Sequence, residues 1–181
     1  MLEITYTQLL IVITAAWIFV RLIAGIKNRT FSLKRELQLL LVYVCIIVIA
    51  RFVFFGFHLV DGKLDTLKIA PPLNTPDMVS MIPFYFLNDR YAGWQINVIG
   101  NIAMFIPVGI VWPFCFPKLN SVLKTVLAGG GFSLLIELLQ LLSHERHSDV
   151  DDLILNTIGV LIGALIYFAL RRKKHKQAKE A

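Results

Sequence analysis

Charged residues are scarce in this chain, and their scarcity excludes an ordinary soluble domain. Asp, Glu, Lys and Arg make up 17% of the 181 residues, against 57% hydrophobic residues, and the mean hydropathy is +0.70. Soluble globular domains carry about 25% charged residues. The two cysteines, Cys45 and Cys115, lie in apolar runs without metal-ligand spacing. We therefore predict small buried thiols without an obvious partner.

Five apolar runs approach the length of a bilayer crossing, at 8–26, 37–57, 93–116, 122–142 and 153–170. A helix needs about 20 residues to cross about 30 Å of hydrocarbon, and its backbone polar groups must be satisfied within the segment. The sequence predicts an all-α, polytopic transmembrane helix bundle of about five spans. We divide it into a first span with a basic link (1–35), a transmembrane domain (36–170) and a basic tail (171–181).

Lys and Arg are unevenly distributed between the links. They concentrate after the first and third apolar runs and in the tail, whereas the other links are mixed or acidic. The positive-inside rule then places the N-terminus outside and the C-terminus in the cytoplasm. We interpret the basic tail as an anchor to membrane lipids and not as a nucleic-acid-binding segment. The predicted location is a cell membrane that the chain crosses several times.

Polar side chains interrupt the apolar runs at helical spacing. An ionisable residue at the centre of a span costs about 2.5–3.5 kcal/mol on insertion scales, so it usually marks a residue that the protein uses. Counting from the end of each run places polar residues of four predicted helices in the outer half of the membrane. We predict that they share an outward-open ligand-binding pocket, whose candidate residues are Arg51, Asn101, Glu137, Gln140, Arg146, Asp149, Asp152 and Asn156.

Several of these residues also have structural interpretations. Arg51 and Glu137 could form an ion pair between helices, and Asn101 could hydrogen-bond a neighbouring helix together with Asn97. Asp152 could be an acid favoured at a helix N-terminus, with Ser148 or Asp149 as the N-cap. The link also holds His144, Glu145, His147 and Asp151, but in no known metal-ligand spacing. We predict neither a metal nor a cofactor.

Small residues predict where the helices pack. Gly129 and Ser133 form a stripe with Glu137 on the fourth span, and Gly159 and Gly163 form a GxxxG pattern on the fifth. Small residues allow membrane helices to approach closely. We expect the fourth and fifth spans to pack through these faces. The GxxxG pattern also makes a homo-oligomer through Gly159 and Gly163 a candidate assembly.

Three motifs resemble the VanZ-like family of bacterial membrane proteins. The resemblance covers about 37–168, and we identify 36–170 as a VanZ-like domain. Its motifs are Met81-Ile82-Pro83-Phe84, then Asn101-x3-Phe105-x-Pro107-x-Gly109, and finally Glu137-x2-Gln140-x5-Arg146-x2-Asp149-x2-Asp152-x3-Asn156-x2-Gly159-x3-Gly163. The resemblance implies lowered susceptibility to glycopeptide antibiotics, to teicoplanin and lipoglycopeptides more than to vancomycin. It also implies the cell membrane of a Gram-positive-type bacterium.

Three hypotheses for the function follow. In the first, the pocket binds or shields a lipid-linked wall precursor or a lipoglycopeptide, and Arg51 and Arg146 hold an anionic head because guanidinium groups offer paired donors. In the second, the protein is an intramembrane enzyme acting on a lipid-linked envelope substrate, with Glu137 as general acid or base. The sequence has no nucleophile motif to support catalysis. In the third it is a transporter or structural subunit, although five spans without an inverted repeat do not favour a complete carrier.

Overall fold

Helices make up most of the regular structure in the described part of the chain. The computed structural model describes residues 2–28, 32–55, 59–60, 63–64, 66–69, 79–80, 83–84, 94–143 and 148–180. Its helices are α1 (Tyr6–Asn28), α2 (Leu33–Phe55), α3 (Trp94–Cys115), α4 (Val122–Gln140) and α5 (Val150–Glu180). Short strands accompany them: β1 (Leu2–Ile4), β2 (Leu59–Val60), β3 (Lys63–Leu64), β4 (Leu67–Ile69), β5 (Val79–Ser80) and β6 (Ser148–Asp149).

Each of these helices is long and apolar enough to cross a membrane, as judged by length and composition. The predicted all-α fold with about five spans is therefore confirmed. The chain is a multi-pass membrane protein. In the tail, α5 runs on as one helix to Glu180. The division into 1–35, 36–170 and 171–181 and the orientation of the termini stay predictions.

The chain divides into two compact units, and the N-terminal unit comprises Met1–Asn74 and Leu142–Arg146. Its helices α1 and α2 contact each other through polar side chains: the hydroxyl groups of Thr14 and Tyr43 lie 2.7 Å apart, and Arg21 Nε donates to Glu36 Oε2 at 2.9 Å. Antiparallel pairs form between β1 and β4 and between β2 and β3. Sequence reasoning did not find these strands, because they are only two or three residues long.

The second compact unit, here called the three-helix unit, comprises Thr75–Leu141 and His147–Ala181. It contains α3, α4 and α5, together with the parallel pair of β5 and β6. The core between its helices is tightly closed, since Phe105, Val108, Val160 and Ala164 are fully buried. The helices α3 and α5 run parallel and α4 runs antiparallel to both, so that α3 and α5 begin where α4 ends.

Backbone contact joins α3 to α5. A Cβ atom on Gly159 would overlap the carbonyl oxygen of Ile102, and one on Gly163 would overlap that of Ile106. Each step of four residues along α5 is therefore matched by a step of four along α3. Only glycine permits so close an approach at these two positions.

The predicted role of the GxxxG pattern is wrong in one respect. Gly159 and Gly163 face α3, whereas α4 contacts the neighbouring stripe of α5, in which Val160 packs on Gly129 and Asn156 bonds Ser133. At 3.6 residues per turn the two stripes of α5 lie about 60° apart, and each serves a different helix. The stripe of Gly129 and Ser133 does face α5 as expected. A homo-oligomer through Gly159 and Gly163 stays a prediction, and it would have to displace α3.

Candidate functional site

Polar side chains gather at the end of the three-helix unit where α3 and α5 begin and α4 ends. We call this group the polar cluster; its described members are Asn97, Asn101, Glu137, Gln140, Asp149, Asp151, Asp152 and Asn156. The up–down–up order of the three helices brings it together, because residues early in α3 and α5 then lie level with residues late in α4. Most of its side chains are buried. Their burial requires hydrogen-bond partners, because an unpaired polar group in an apolar interior is costly.

Asp152 joins α5 to α3. Its Oδ1 accepts a hydrogen bond from Asn101 Nδ2 at 2.5 Å and a longer one from Asn97 Nδ2 at 3.4 Å. Asn97 and Asn101 are four residues apart, so both amides lie on the face of α3 that meets α5. Asn101 is 7% exposed, and Asp152 itself is half-buried. The two asparagines hold its carboxyl group in place against α3.

Glu137 joins α4 to the start of α5. Its Oε2 accepts a hydrogen bond from the backbone N–H of Asp149 at 3.1 Å, and its side chain is buried. Asp149 in turn caps α5, because its Oδ1 accepts from the N–H of Asp151 at 2.9 Å. Asp149 is therefore the N-cap of α5, for which the sequence predicted either Ser148 or Asp149. The Glu137 carboxyl group thus fixes the backbone residue at which α5 begins.

A turn before α3 also reaches the polar cluster. The N–H of Phe84 donates to Asp151 Oδ1 at 2.5 Å, and Asp151 is 4% exposed. Phe84 has a φ of 61°, which is uncommon for a residue other than glycine. Nearby in sequence, β5 pairs with β6, whose second residue is Asp149. The segment before α3 is therefore tied to the start of α5 at two points.

Two amide oxygens of the cluster stand out because nothing in the described part of the chain donates a hydrogen bond to them. They are Gln140 Oε1 and Asn156 Oδ1, and both are buried. The other end of the Asn156 amide is satisfied, since Nδ2 donates to Ser133 Oγ at 2.9 Å. A buried acceptor without a donor costs about 1–3 kcal/mol, so its presence calls for an explanation.

The three helices that carry the polar cluster lie in a region that matches a known protein family. The sequence profile of the VanZ/LLP1 family matches residues 40–171. The chain belongs to the VanZ/LLP1 family. The matched range contains α3, α4 and the whole apolar part of α5, and so it contains the whole polar cluster. The comparisons with curated proteins and with solved structures gave no match.

Within this VanZ/LLP1 domain the structure brings together most of the predicted ligand-binding residues. Asn101 contacts Asp152, and Glu137 contacts Asp149. Asn156 and Gln140 are buried in the same three helices, on α5 and α4. The geometry therefore unites residues from all three motif-bearing helices, while their binding role stays a prediction.

Neither of the two arginines that were predicted to bind the ligand is a described member of the polar cluster. Arg146 lies outside the described residues, together with His144, Glu145 and His147 of the same link. Arg51 lies in α2, in the N-terminal unit, where its guanidinium group is 5.9 Å from the ring centroid of Tyr6 and 5.3 Å from that of Phe52. Both arginines stay predictions as ligand-binding residues.

Three members of the site were missed or undervalued in the sequence. Ser133 was predicted as a small packing residue, but its hydroxyl group accepts the hydrogen bond from Asn156. Asn97 and Asp151 were left out of the predicted pocket, and both bond across the unit. Spacing was the signal for two of them, because Ser133 lies one helical turn from Glu137 and Asn97 one turn from Asn101.

Metal-binding geometry is absent from the part of the chain that the structure describes. No three of its His, Cys, Asp or Glu residues are grouped so that they could hold an ion. The acidic residues at the start of α5 instead accept hydrogen bonds from amides and backbone N–H groups. Cys45 and Cys115 are buried free thiols, as predicted.

Proposed function

We propose that this VanZ/LLP1 protein binds the polar head of a lipid-linked molecule at its polar cluster, and by doing so lowers susceptibility to teicoplanin and lipoglycopeptides. The candidate ligands are a lipoglycopeptide and a lipid-linked wall precursor. The proposed location is the outer half of the cell membrane of a bacterium. The observation that carries the proposal is the pair of buried acceptors, Gln140 Oε1 and Asn156 Oδ1, to which no described residue donates.

The chemistry of a lipid-linked head matches these acceptors. Sugars, peptides and glycopeptides are rich in O–H and N–H donors, and a donor placed at each oxygen would remove the cost of leaving it unpaired. The hydrogen bonds of Asn101 to Asp152 and of Glu137 to Asp149 hold the surrounding groups in fixed positions. A site held in this way loses less side-chain entropy when it binds a ligand.

Apolar residues beside the cluster fit the lipid part of such a ligand. Ile96 and Ile99 flank Asn97 on α3 and are 64% and 66% exposed. Leu138 and Leu139 precede Gln140 on α4 and are also exposed. An acyl chain lying on these side chains would keep its head within reach of the cluster. Lipidated ligands would be favoured over unlipidated ones, in line with the preference that the family resemblance implies.

The predicted orientation supports an outward-facing site. The end of α5 opposite the polar cluster carries Arg171, Arg172, Lys173 and Lys174. The positive-inside rule assigns that end to the cytoplasm. The polar cluster would then face the side on which wall precursors and antibiotic meet.

The test is the susceptibility of a sensitive bacterial host to teicoplanin and vancomycin, with variants at matched membrane levels. Wild type should protect against teicoplanin more than against vancomycin. Gln140→Met removes the buried acceptor but nearly keeps the side-chain volume, and it should abolish protection without lowering the melting temperature, because no hydrogen bond is lost. Leu135→Met, at an exposed residue of α4 more than one turn from Gln140, is the matched control and should protect fully.

Two results would contradict the proposal. Full protection by Gln140→Met would show that the function does not need the buried acceptor Gln140 Oε1. Chemical conversion of a purified lipid-linked precursor by the wild type, lost in Glu137→Gln, would replace binding with the enzymatic alternative.

A further inference from the structure

Two grooves lie at the end of the three-helix unit opposite the polar cluster. The first has a volume of about 540 Å³ and is lined by Phe114, Tyr167, Leu170, Arg171 and Lys174. The second, of about 620 Å³, lies beside the first residues of α4 and is lined by Leu123, Phe168, Arg171 and Arg172. Arg171 lines both grooves. Together we call them the basic grooves.

Both basic grooves combine apolar and cationic side chains, and Asn120 and Ser121 also line the second. The apolar residues, among them Tyr167, Phe168 and Leu170, come from the last turns of the hydrophobic part of α5, and the cationic residues begin at once with Arg171. The 31 residues of α5 extend about 46 Å at 1.5 Å per residue, against about 30 Å of hydrocarbon. The helix is therefore long enough to pass through the headgroup region, and Arg171 lies where the apolar part of α5 ends.

The cations of the basic grooves have no anionic partner among the described residues. The ion pair that forms in this part of α5 joins Lys176 to Glu180, with 3.9 Å between nitrogen and oxygen. No described carboxylate pairs with Arg171, Arg172 or Lys174. Two arginines and a lysine at one boundary create a positive field that attracts phosphate groups.

We propose that the basic grooves bind anionic phospholipid, with the lipid phosphate on Arg171 and acyl chains against the aromatic rings of Tyr167 and Phe168. Two features select this ligand together. A phosphate satisfies the guanidinium groups in paired hydrogen bonds, and an acyl chain covers the apolar wall that continues into the membrane-spanning part of α5. This lipid site is separate from the polar cluster, and its residues have no part in the function proposed above.

Native mass spectrometry of the full chain in detergent tests the proposal. The protein is mixed with phosphatidylglycerol or with zwitterionic phosphatidylcholine, and the bound fraction is compared. Wild type should retain phosphatidylglycerol preferentially. Arg171→Gln should weaken that binding about five- to tenfold, the size expected for one cation in direct contact with a lipid phosphate.

Lys173→Gln is the matched control, because it removes the same charge from the opposite face of the same turn of α5 and lines neither groove. It should keep phosphatidylglycerol binding within about twofold of wild type, as expected for an exposed, screened charge. Arg171 and Lys173 are both exposed, so neither substitution should disturb the fold. Melting temperatures equal to that of the wild type would confirm that both variants are folded.

Three outcomes would overturn the lipid site. The first is an equal loss of phosphatidylglycerol binding in Arg171→Gln and Lys173→Gln, which would mean that only the total charge of this end of α5 matters. The second is equal retention of the two lipids by wild type. The third is displacement of the bound lipid by a single-stranded RNA at physiological salt, which would assign the basic residues to nucleic acid.

Discussion

Glu137 is the residue of α4 whose side chain fixes the first residue of α5. Because its buried Oε2 accepts from the N–H of Asp149, removing it leaves that N–H without its acceptor. We expect Glu137→Ala to lower the free energy of unfolding by about 1–3 kcal/mol. Glu137→Gln keeps a side-chain oxygen at the same distance from the backbone and should lose less. Thermal unfolding in detergent measures both.

The glutamine variant also separates two roles of Glu137. If it is as unstable as the alanine variant, the charge of the carboxyl group and not its hydrogen bond to Asp149 holds the start of α5. If it is stable but gives no protection against teicoplanin, the carboxyl group takes part in the function. A single alanine substitution would not distinguish these cases, because it removes the charge and the acceptor together.

At the scale of the element, the contact between α3 and α5 depends on glycine. The carbonyl oxygen of Ile106 occupies the place that a Cβ on Gly163 would need. We expect Gly163→Ala to lower the free energy of unfolding by about 1–3 kcal/mol, the range for overpacked cores. The measurement is unfolding of the purified chain in detergent, with folding checked by gel filtration.

Gly131→Ala on α4 is the matched control, because nothing lies within 4 Å of the added Cβ. Alanine favours a helix over glycine by about 0.5–1 kcal/mol, so this variant should be as stable as wild type or more so. Equal destabilisation of both variants would mean that loss of glycine flexibility, and not the approach of α3, sets the cost at Gly163.

The helices themselves could be predicted from the sequence, but their pairing could not. Length and hydropathy place a span to within a few residues, because the bilayer fixes how long it must be. The face that meets a given neighbour is set by packing among all three helices. Gly159 and Gly163 therefore predicted a close helix contact, but they did not indicate that α3 is the partner. The pair of β5 and β6 was missed for a related reason, since strands of two residues carry no periodic signal.

For the whole molecule, the depth of each polar residue in the membrane was enough to predict that the polar cluster would form at one level. A helix rises 1.5 Å per residue, so the distance of Asn101, Glu137 or Asp152 from the end of its span gives its level in the membrane. The individual hydrogen bonds did not follow, because a shared level leaves the rotation of each helix open. Asp152 could thus be placed at the level of Asn101 in the membrane, while its bonds to Asn97 and Asn101 needed the structure.

Orientation is the property of the whole molecule on which the proposed function depends most. Five spans place the two termini on opposite sides of the membrane, and the basic residues of α5 predict a cytoplasmic C-terminus. Glu3 and Lys179 are exposed positions near the two ends. Cysteines introduced at them should therefore differ in their access to a maleimide reagent that does not cross membranes.

In intact cells we expect Glu3→Cys to be labelled and Lys179→Cys to be labelled only after lysis. The unsubstituted chain provides the background, because Cys45 and Cys115 are 9% and 0% exposed and should not react. The reverse pattern would turn the polar cluster toward the cytoplasm, where it could not meet an antibiotic outside the cell. Labelling of both cysteines in intact cells would contradict an odd number of spans. Either result would refute the proposed outward-facing site, whatever the susceptibility measurements gave.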